Sequence, residues 1–230
     1  MSRVSVVIPV YRNRDTLAEL HRRVCRALES SGAPFDVIYV DDACPAASGQ
    51  GLDALARTDP RVQVQHLPAN VGQHQAILKG LAQARGDAVV ILDADLQDPP
   101  EAIPRLLAQL RAGDEAVFAG RQGAYHDSGG RRLTSRIFKR LQGALLGLPL
   151  DAGSYVAISR PVVDRVLALP SRGQTVVAMI GVSARRLSSI PVARAVRPAG
   201  QSAFSSRMRL SLALSTLAWA ARRRLTGRLR

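Results

Sequence analysis

Three aliphatic runs, the second and third of which end in carboxylates, constrain the fold by their placement along the chain more than any other feature. "VSVVIPV" at 4–10, "FDVIYVDD" at 35–42 and "DAVVILDAD" at 87–95 have the length and β-branched content of buried strands. Between and after them "DTLAELHRRVCRALESS" (15–31) has the apolar spacing of an amphipathic helix, and "QVQHL" (63–67) reads as a further short strand. "GQHQAILKGLAQARG" (72–86) reads as a helix ended by glycine, and "PEAIPRLLAQLRAG" (100–113) as another helix. Strands that are aliphatic without alternation are buried on both faces, so the pattern predicts an α/β domain with a mainly parallel sheet covered by helices on both faces. In such sheets ligands gather at the carboxyl ends of the strands.

Those ends carry Asp41 and Asp42 after the second run and Asp93 and Asp95 after the third. Residues two apart on an extended segment project to one side, so Asp93, Asp95 and Gln97 offer three oxygen ligands along one edge if the chain stays extended there. Carboxylate and amide oxygens suit a hard divalent cation, magnesium or manganese, which completes its shell with water and substrate phosphates. Asp98, ahead of Pro99 and Pro100, is expected to cap the following helix.

The net charge of +14 is placed unevenly. No acid follows Asp164, and the 66 residues from Arg165 to Arg230 hold 13 arginines, so a nearly neutral body carries a cationic end. Such asymmetry points to an anionic partner, nucleic acid or a phospholipid surface. Cys25 and Cys44 show neither metal-ligand spacing nor a disulfide framework, which fits a reducing compartment. The opening "MSRVSVVIPVYRN" has no basic start followed by a cleavable apolar core, so no secretory signal is expected.

The set "VSVVIPVYRN", "VIYVDDAC", "NVGQHQAILKGLAQARGD" and "ILDADLQDPPEAIP", in this order and spacing, resembles family 2 glycosyltransferases of the GT-A fold, a Rossmann-like architecture. Within them it is most similar to dolichyl-phosphate and undecaprenyl-phosphate sugar transferases, over most of the chain from Val4 to about Leu217. The resemblance implies a nucleotide site at Pro9, Val10, Tyr11, Asp42 and Asp93, and a metal and diphosphate site at Asp93, Asp95 and Gln97. It also implies phosphate contacts to donor and acceptor from Arg121, from Arg131 or Arg132 with Ser135, and from Arg197 and Ser202, with Asp95 and Arg121 in catalytic positions. Arginine suits this work because its planar fork grips phosphate oxygens in pairs and stays charged.

Several positions depart from the family pattern. Arg14 stands where an acid is common, Ala43 and Cys44 follow the paired acids, Tyr155 and Val156 replace a frequent Phe-Arg, and Ala203 a frequent lysine, with Arg207 and Arg209 as possible substitutes for the lost contact.

The implied reaction is an inverting transfer from a nucleotide-sugar donor to a polyprenyl phosphate, aided by Mg2+ or Mn2+. A phosphate monoester has its second pKa near about 6 and arrives ionised, so no general base is needed. Asp151 reads either as a base or supporting residue or as a turn acid beside Pro149 and Gly153. His74 reads as a hydrogen-bonded structural residue. The competing classes are a glycosyltransferase acting on a saccharide or protein, which needs a carboxylate base, and a nucleic-acid binder. Aromatic residues at only 4% and the lack of a binding motif argue against nucleic acid as partner.

Residues 1–205 are expected to form the glycosyltransferase domain, and 206–230 an amphipathic helix with a basic tail. The uncharged run at 210–221 is too short for a bilayer that needs roughly 20 apolar residues. Leu210, Leu214, Leu217 and Ala221 make one stripe ahead of "RRRLTGRLR". This reads as an interfacial helix on an anionic membrane, or as a helix packed on the body. The expected location is cytoplasmic, on the inner face of the membrane, held there by the tail or by a separate membrane protein.

Overall fold

The computed structural model describes residues 2–45, 48–122, 140, 143–170, 174–195 and 218–219, with Arg121 and Gln122 described by their backbone alone. The seven strands are β1 (Val4–Val10), β2 (Phe35–Asp41), β3 (Val62–His66), β4 (Ala88–Ile91), β5 (Ala116–Gln122), β6 (Val156–Ser159) and β7 (Leu187–Ala193). They form one sheet in the order β3-β2-β1-β4-β6-β5-β7. Strands β1 to β4 pair in parallel, β5 pairs in parallel with β7, and β6 runs antiparallel to both β4 and β5. The mainly parallel α/β sheet expected from the aliphatic runs is present.

Every residue of β1 and β2 is buried, as the runs require. The burial still has two faces, because side chains alternate along a strand. Val4, Val6, Ile8 and Val10 face one core with α1 (Leu17–Glu29) and α4 (Ile103–Arg111). Val7, Ile38 and Val40 face the other, with α3 (Gln73–Gln83), α5 (Arg160–Leu167) and α6 (Val176–Ser183). Helix α2 (Ser48–Thr58) lies against β3.

Helix α3 lies close to the sheet because residue 80 has no side chain. A Cβ on Gly80 would stand 2.4 Å from Val7 Cγ1 and 3.0 Å from Val40 Cγ2. This close approach sets how near α3 lies to the sheet, and the N-terminal end of α3 is held at the carboxyl edge by Asp42 and Asp93. The helix ends at Ala84, whose backbone turns extended, and not at a glycine as its sequence suggested.

The segment expected to run as one helix from 100 to 113 starts as a 3-10 turn, Pro100–Ala102, before α4 begins. Asp98 does not cap it: Pro99 holds the N-cap position and no side chain bonds there. Among the described residues, no helix is long and apolar enough to cross a membrane. All but two residues of the expected C-terminal helix and tail, 206–230, lie outside the described residues.

Candidate active site

Strand β4 ends at Ile91, and the chain then leaves the sheet. The extended presentation of Asp93, Asp95 and Gln97 is therefore corrected: Leu96 takes a left-handed backbone with φ of 58°, turning the segment back on itself. A branched side chain rarely adopts this conformation, at a cost of roughly 1–3 kcal/mol. Arg12 (φ 60°) and Ala43 (φ 50°) do the same. These are the positive-φ residues other than glycine among the described residues, and each follows the carboxyl end of a central parallel strand: β1, β2 or β4. Backbone strain of this kind is held in place only where surrounding contacts over-determine it.

The contacts that hold it converge on one edge. The Arg12 amide donates to Cys44 Sγ at 3.0 Å, joining the β1 and β2 loops. Thr16 Oγ1 donates to the Ala94 carbonyl at 2.6 Å, joining the β1 loop to the β4 loop. Asp42, buried, accepts the amides of Val71 at 2.7 Å and Gly72 at 2.9 Å, one on each carboxylate oxygen. Asp42 therefore anchors the entry to α3, an interaction its place in the sequence did not suggest, and keeps two lone-pair directions for other donors.

Asp93 is the hub. Gln73 Nε2, at the first turn of α3, donates to Asp93 Oδ1 at 2.6 Å, and Ser154 Oγ, ahead of β6, donates to Asp93 Oδ2 at 2.7 Å. Burial pushes the Asp93 carboxyl up to about 6 against the pull of the Ser154 bond, and the negative charges of Asp98 and Asp95 push in the same direction as burial. Asp95 Oδ1 accepts the Gln97 amide at 3.1 Å, the local turn that an aspartate two residues upstream stabilises.

The partner of Asp98 lies 96 residues away. Arg194, just past β7, grips both of its oxygens at 2.7 and 2.9 Å. The Ala195 amide donates to the Gln97 carbonyl at 2.9 Å, so the end of β7 clamps the acidic loop by backbone as well. Tyr155 OH donates to the Pro99 carbonyl at 3.0 Å from the β6 side. Arg194, Gln73 and Ser154 were not singled out from the sequence. A polar residue in the first turn of α3 was the only signal available for Gln73; Ser154 and Arg194 act across long sequence separations that no local pattern reveals.

The remaining expected residues sort as follows. Pro9 and Val10 close β1, and Tyr11 follows with its amide on Asn13 Oδ1 at 3.3 Å and its ring under the Arg12 guanidinium at 5.3 Å. Asp151 accepts Ser189 Oγ at 3.1 Å, and its carboxylate lies so close over Gly120 that a Cβ there would stand 1.8 Å from Oδ2. That contact sets Asp151 against β5 and β7, one residue from Arg121, whose backbone belongs to β5. His74 is half-buried, and burial lowers its pKa. Arg131, Arg132, Ser135, Arg197 and Ser202 lie outside the described residues.

A second hydrogen-bonded group flanks the same edge. His66, the last residue of β3, meets Asp41 with Nδ1 and Asp53 with Nε2, both at 3.0 Å, and those two carboxylates raise its pKa. Asp41 also accepts the Cys44 amide at 3.1 Å.

The charge count tests whether a divalent cation suits this place. Asp93, Asp95 and Asp98 lie within six residues, and among the described residues Arg194 is a cation that acts on all three. These four described side chains together carry about −2 when ionised, with oxygen donors only, which is the donor chemistry and charge that magnesium or manganese takes. The residues fit such an ion, with Asp93, Asp95 and Gln97 as the candidate holders.

Comparison with known proteins agrees with this geometry. The model of glycosyl transferase family 2 matches residues 5–167. Undecaprenyl-phosphate 4-deoxy-4-formamido-L-arabinose transferases of Salmonella paratyphi B and Salmonella newport are each 36% identical over 211 residues, 89% of this chain. The chain spans 63% of the length of these relatives. A mannosyltransferase from Pyrobaculum calidifontis, solved with GDP-Man and Mn2+, superposes with a TM-score of 0.69 at 19% identity, covering 95% of this chain and 64% of that one. Glucosyl-3-phosphoglycerate synthase from Mycobacterium tuberculosis, solved with Mn2+, UDP and phosphoglyceric acid, gives 0.67 at 20% identity over 94% and 78%. The sheet order and its acid-terminated edge thus carry the GT-A architecture expected above, and the match across both shows that the chain belongs to glycosyl transferase family 2.

Proposed function

We propose that this chain transfers a sugar from a nucleotide-activated donor to a polyprenyl phosphate, with inversion at the anomeric carbon. One observation carries the reading: three strained loops are pinned together around Asp93, gathering three carboxylates against, among the described residues, the Arg194 guanidinium at the edge where sheets of this kind bind ligands. The acceptor class is supported by the relatives, whose names give undecaprenyl phosphate as the partner.

Asp93, Asp95 and Gln97 would hold the magnesium or manganese ion, which when bound would supply positive charge to the donor diphosphate. Pro9, Val10 and Tyr11 line the nucleotide, and Asp42 contributes through the lone pairs that Val71 and Gly72 leave open. Arg121, with Arg131 or Arg132, Ser135, Arg197 and Ser202, binds the phosphates of donor and acceptor. These cations offset the repulsion between two anionic substrates and align an in-line attack. The new bond joins a phosphate oxygen to the anomeric carbon while the bond to the donor diphosphate breaks. The nucleophile carries no proton to remove, because a phosphate monoester is largely a dianion above about pH 6. Asp151 then serves by position, holding β5 beside Arg121. The basic tail places the chain on the cytoplasmic face of an anionic membrane.

The test is a panel of labelled nucleotide sugars incubated with undecaprenyl phosphate and manganese, read by label entering the organic phase. Metal-dependent transfer is expected with one donor, and its loss in a folded Asp95→Ala variant. Label passing only to a saccharide or protein would overturn the lipid-phosphate acceptor in favour of the base-assisted reading.

A further inference from the structure

Away from that edge, at the opposite end of the sheet, α1 and the turn before β3 bring together three side chains that no step above uses. His21 and Cys25 stand one helical turn apart on α1 and share a face. Asp59 sits in the connection from α2 to β3. His21 and Cys25 are buried, and the Asp59 side chain is 13% exposed.

The three donor atoms form a triangle close in size to one face of a tetrahedral coordination shell. His21 Nε2 is 3.2 Å from Asp59 Oδ2, Cys25 Sγ is 3.6 Å from His21 Nε2, and Cys25 Sγ is 3.8 Å from Asp59 Oδ2. A tetrahedral zinc ion with bonds of about 2.0–2.1 Å to nitrogen and oxygen and about 2.3 Å to sulfur sets those edges at about 3.4, 3.6 and 3.6 Å. Each observed edge lies within about 0.2 Å of those figures. The other ring nitrogen, His21 Nδ1, is 3.2 Å from Tyr39 OH, so the ring has a partner that fixes Nε2 toward the centre.

We propose that His21 Nε2, Cys25 Sγ and Asp59 Oδ2 form a binding site for a tetrahedral divalent cation that accepts a thiolate, zinc being the ion this donor set suits. The nearby charges are compatible. Arg61 donates to Asp59 at 2.7 Å and to Glu29 at 2.8 Å, so two carboxylates and one guanidinium leave the group at −1 before the thiol ionises. Metal binding displaces the thiol proton to solvent; the thiolate brings the group to −2, which a divalent ion neutralises. Without metal, burial pushes the Cys25 thiol up to about 11, so the group is then a hydrogen-bonded network with a protonated sulfur. The bound ion joins α1 to the entry of β3 and stabilises the fold without touching the sugar-transfer edge.

Cobalt(II) titrated into the full chain, with excess magnesium present to occupy all-oxygen sites, reads this directly. Expected is about one equivalent producing thiolate-to-cobalt charge transfer and the intense visible bands of tetrahedral coordination, both erased by zinc. Both signals should be kept in Cys44→Ala and absent in Cys25→Ser. Zinc at a hundredfold excess over its Kd should raise the melting temperature of the wild type by about 5–10 °C, and that of Cys25→Ser not at all. If Cys25→Ser does not fold, Asp59→Asn takes its place. Weak octahedral cobalt bands alone in the wild type, or a charge-transfer band that follows Cys44, would overturn the site and leave a hydrogen-bonded network.

Discussion

Replacing Arg194 with alanine removes the counter-ion of Asp98, and the structure gives the size of the effect. The Asp98 side chain is 7% exposed and that of Arg194 18%, and the pair is joined by two parallel bonds. Taking one partner from a buried ion pair costs about 3–5 kcal/mol, because the other charge stays desolvated. The partial exposure of Arg194 places the expected loss at the lower end, about 3 kcal/mol, which for a chain of this size lowers the melting temperature by roughly 6–12 °C. Thermal unfolding followed by far-ultraviolet circular dichroism measures it. The same substitution made in an Asp98→Asn background should cost less than about 1 kcal/mol, since the buried charge is then absent. A shift below about 2 °C for Arg194→Ala alone, or equal costs in both backgrounds, would refute the reasoning and return Arg194 to an ordinary surface cation.

Three further outcomes follow from the packing and the charges. Gly80→Ala should destabilise by about 1–3 kcal/mol in urea unfolding, because its Cβ would meet Val7 at 2.4 Å, and Val7→Ala in the same chain should recover part of that loss. His66 has its folded pKa raised by Asp41 and Asp53, so its stabilising contribution is full below its unfolded value of about 6.5 and is lost as pH rises through the folded value. The stability gap between wild type and His66→Gln should therefore shrink from roughly pH 5.5 to roughly pH 8.5, either side of the ordinary imidazole range, staying under about 1 kcal/mol because the side chain is 46% exposed; a gap that widens with pH would contradict the pairing. Asp151→Asn should keep turnover with a polyprenyl phosphate within about tenfold, whereas loss of a general base costs about 10²–10⁴; a loss in that range would assign the base to Asp151.

The strands and their acidic ends were legible because a fully buried strand admits few residues but aliphatic ones, and Asp41, Asp42, Asp93 and Asp95 break those runs abruptly. What the strands do next was not legible. The extended reading of 93–97 failed at Leu96, whose left-handed backbone is disfavoured locally and is held by the Asp95 turn together with the Ala195 amide reaching Gln97 from the end of β7. Asp98 reads as a cap by local rules, and its bond to Arg194 across 96 positions overrides them. Strand β6, only four residues long and antiparallel, carries too short a run for its direction to be read. Cys25 looked isolated because its companions are a histidine one turn back and an aspartate 34 positions on, brought together only by the packing of α1 against the α2–β3 connection.

The most direct test of the proposed site is calorimetric titration of a nucleoside diphosphate into the chain, with and without manganese, in the wild type and in Asp95→Asn. Expected is binding that strengthens at least tenfold with the metal (about 1.4 kcal/mol) and loses that gain in the variant while the variant's melting curve is unchanged. Equal affinity in all four titrations would contradict a cation held by the acidic loop after β4.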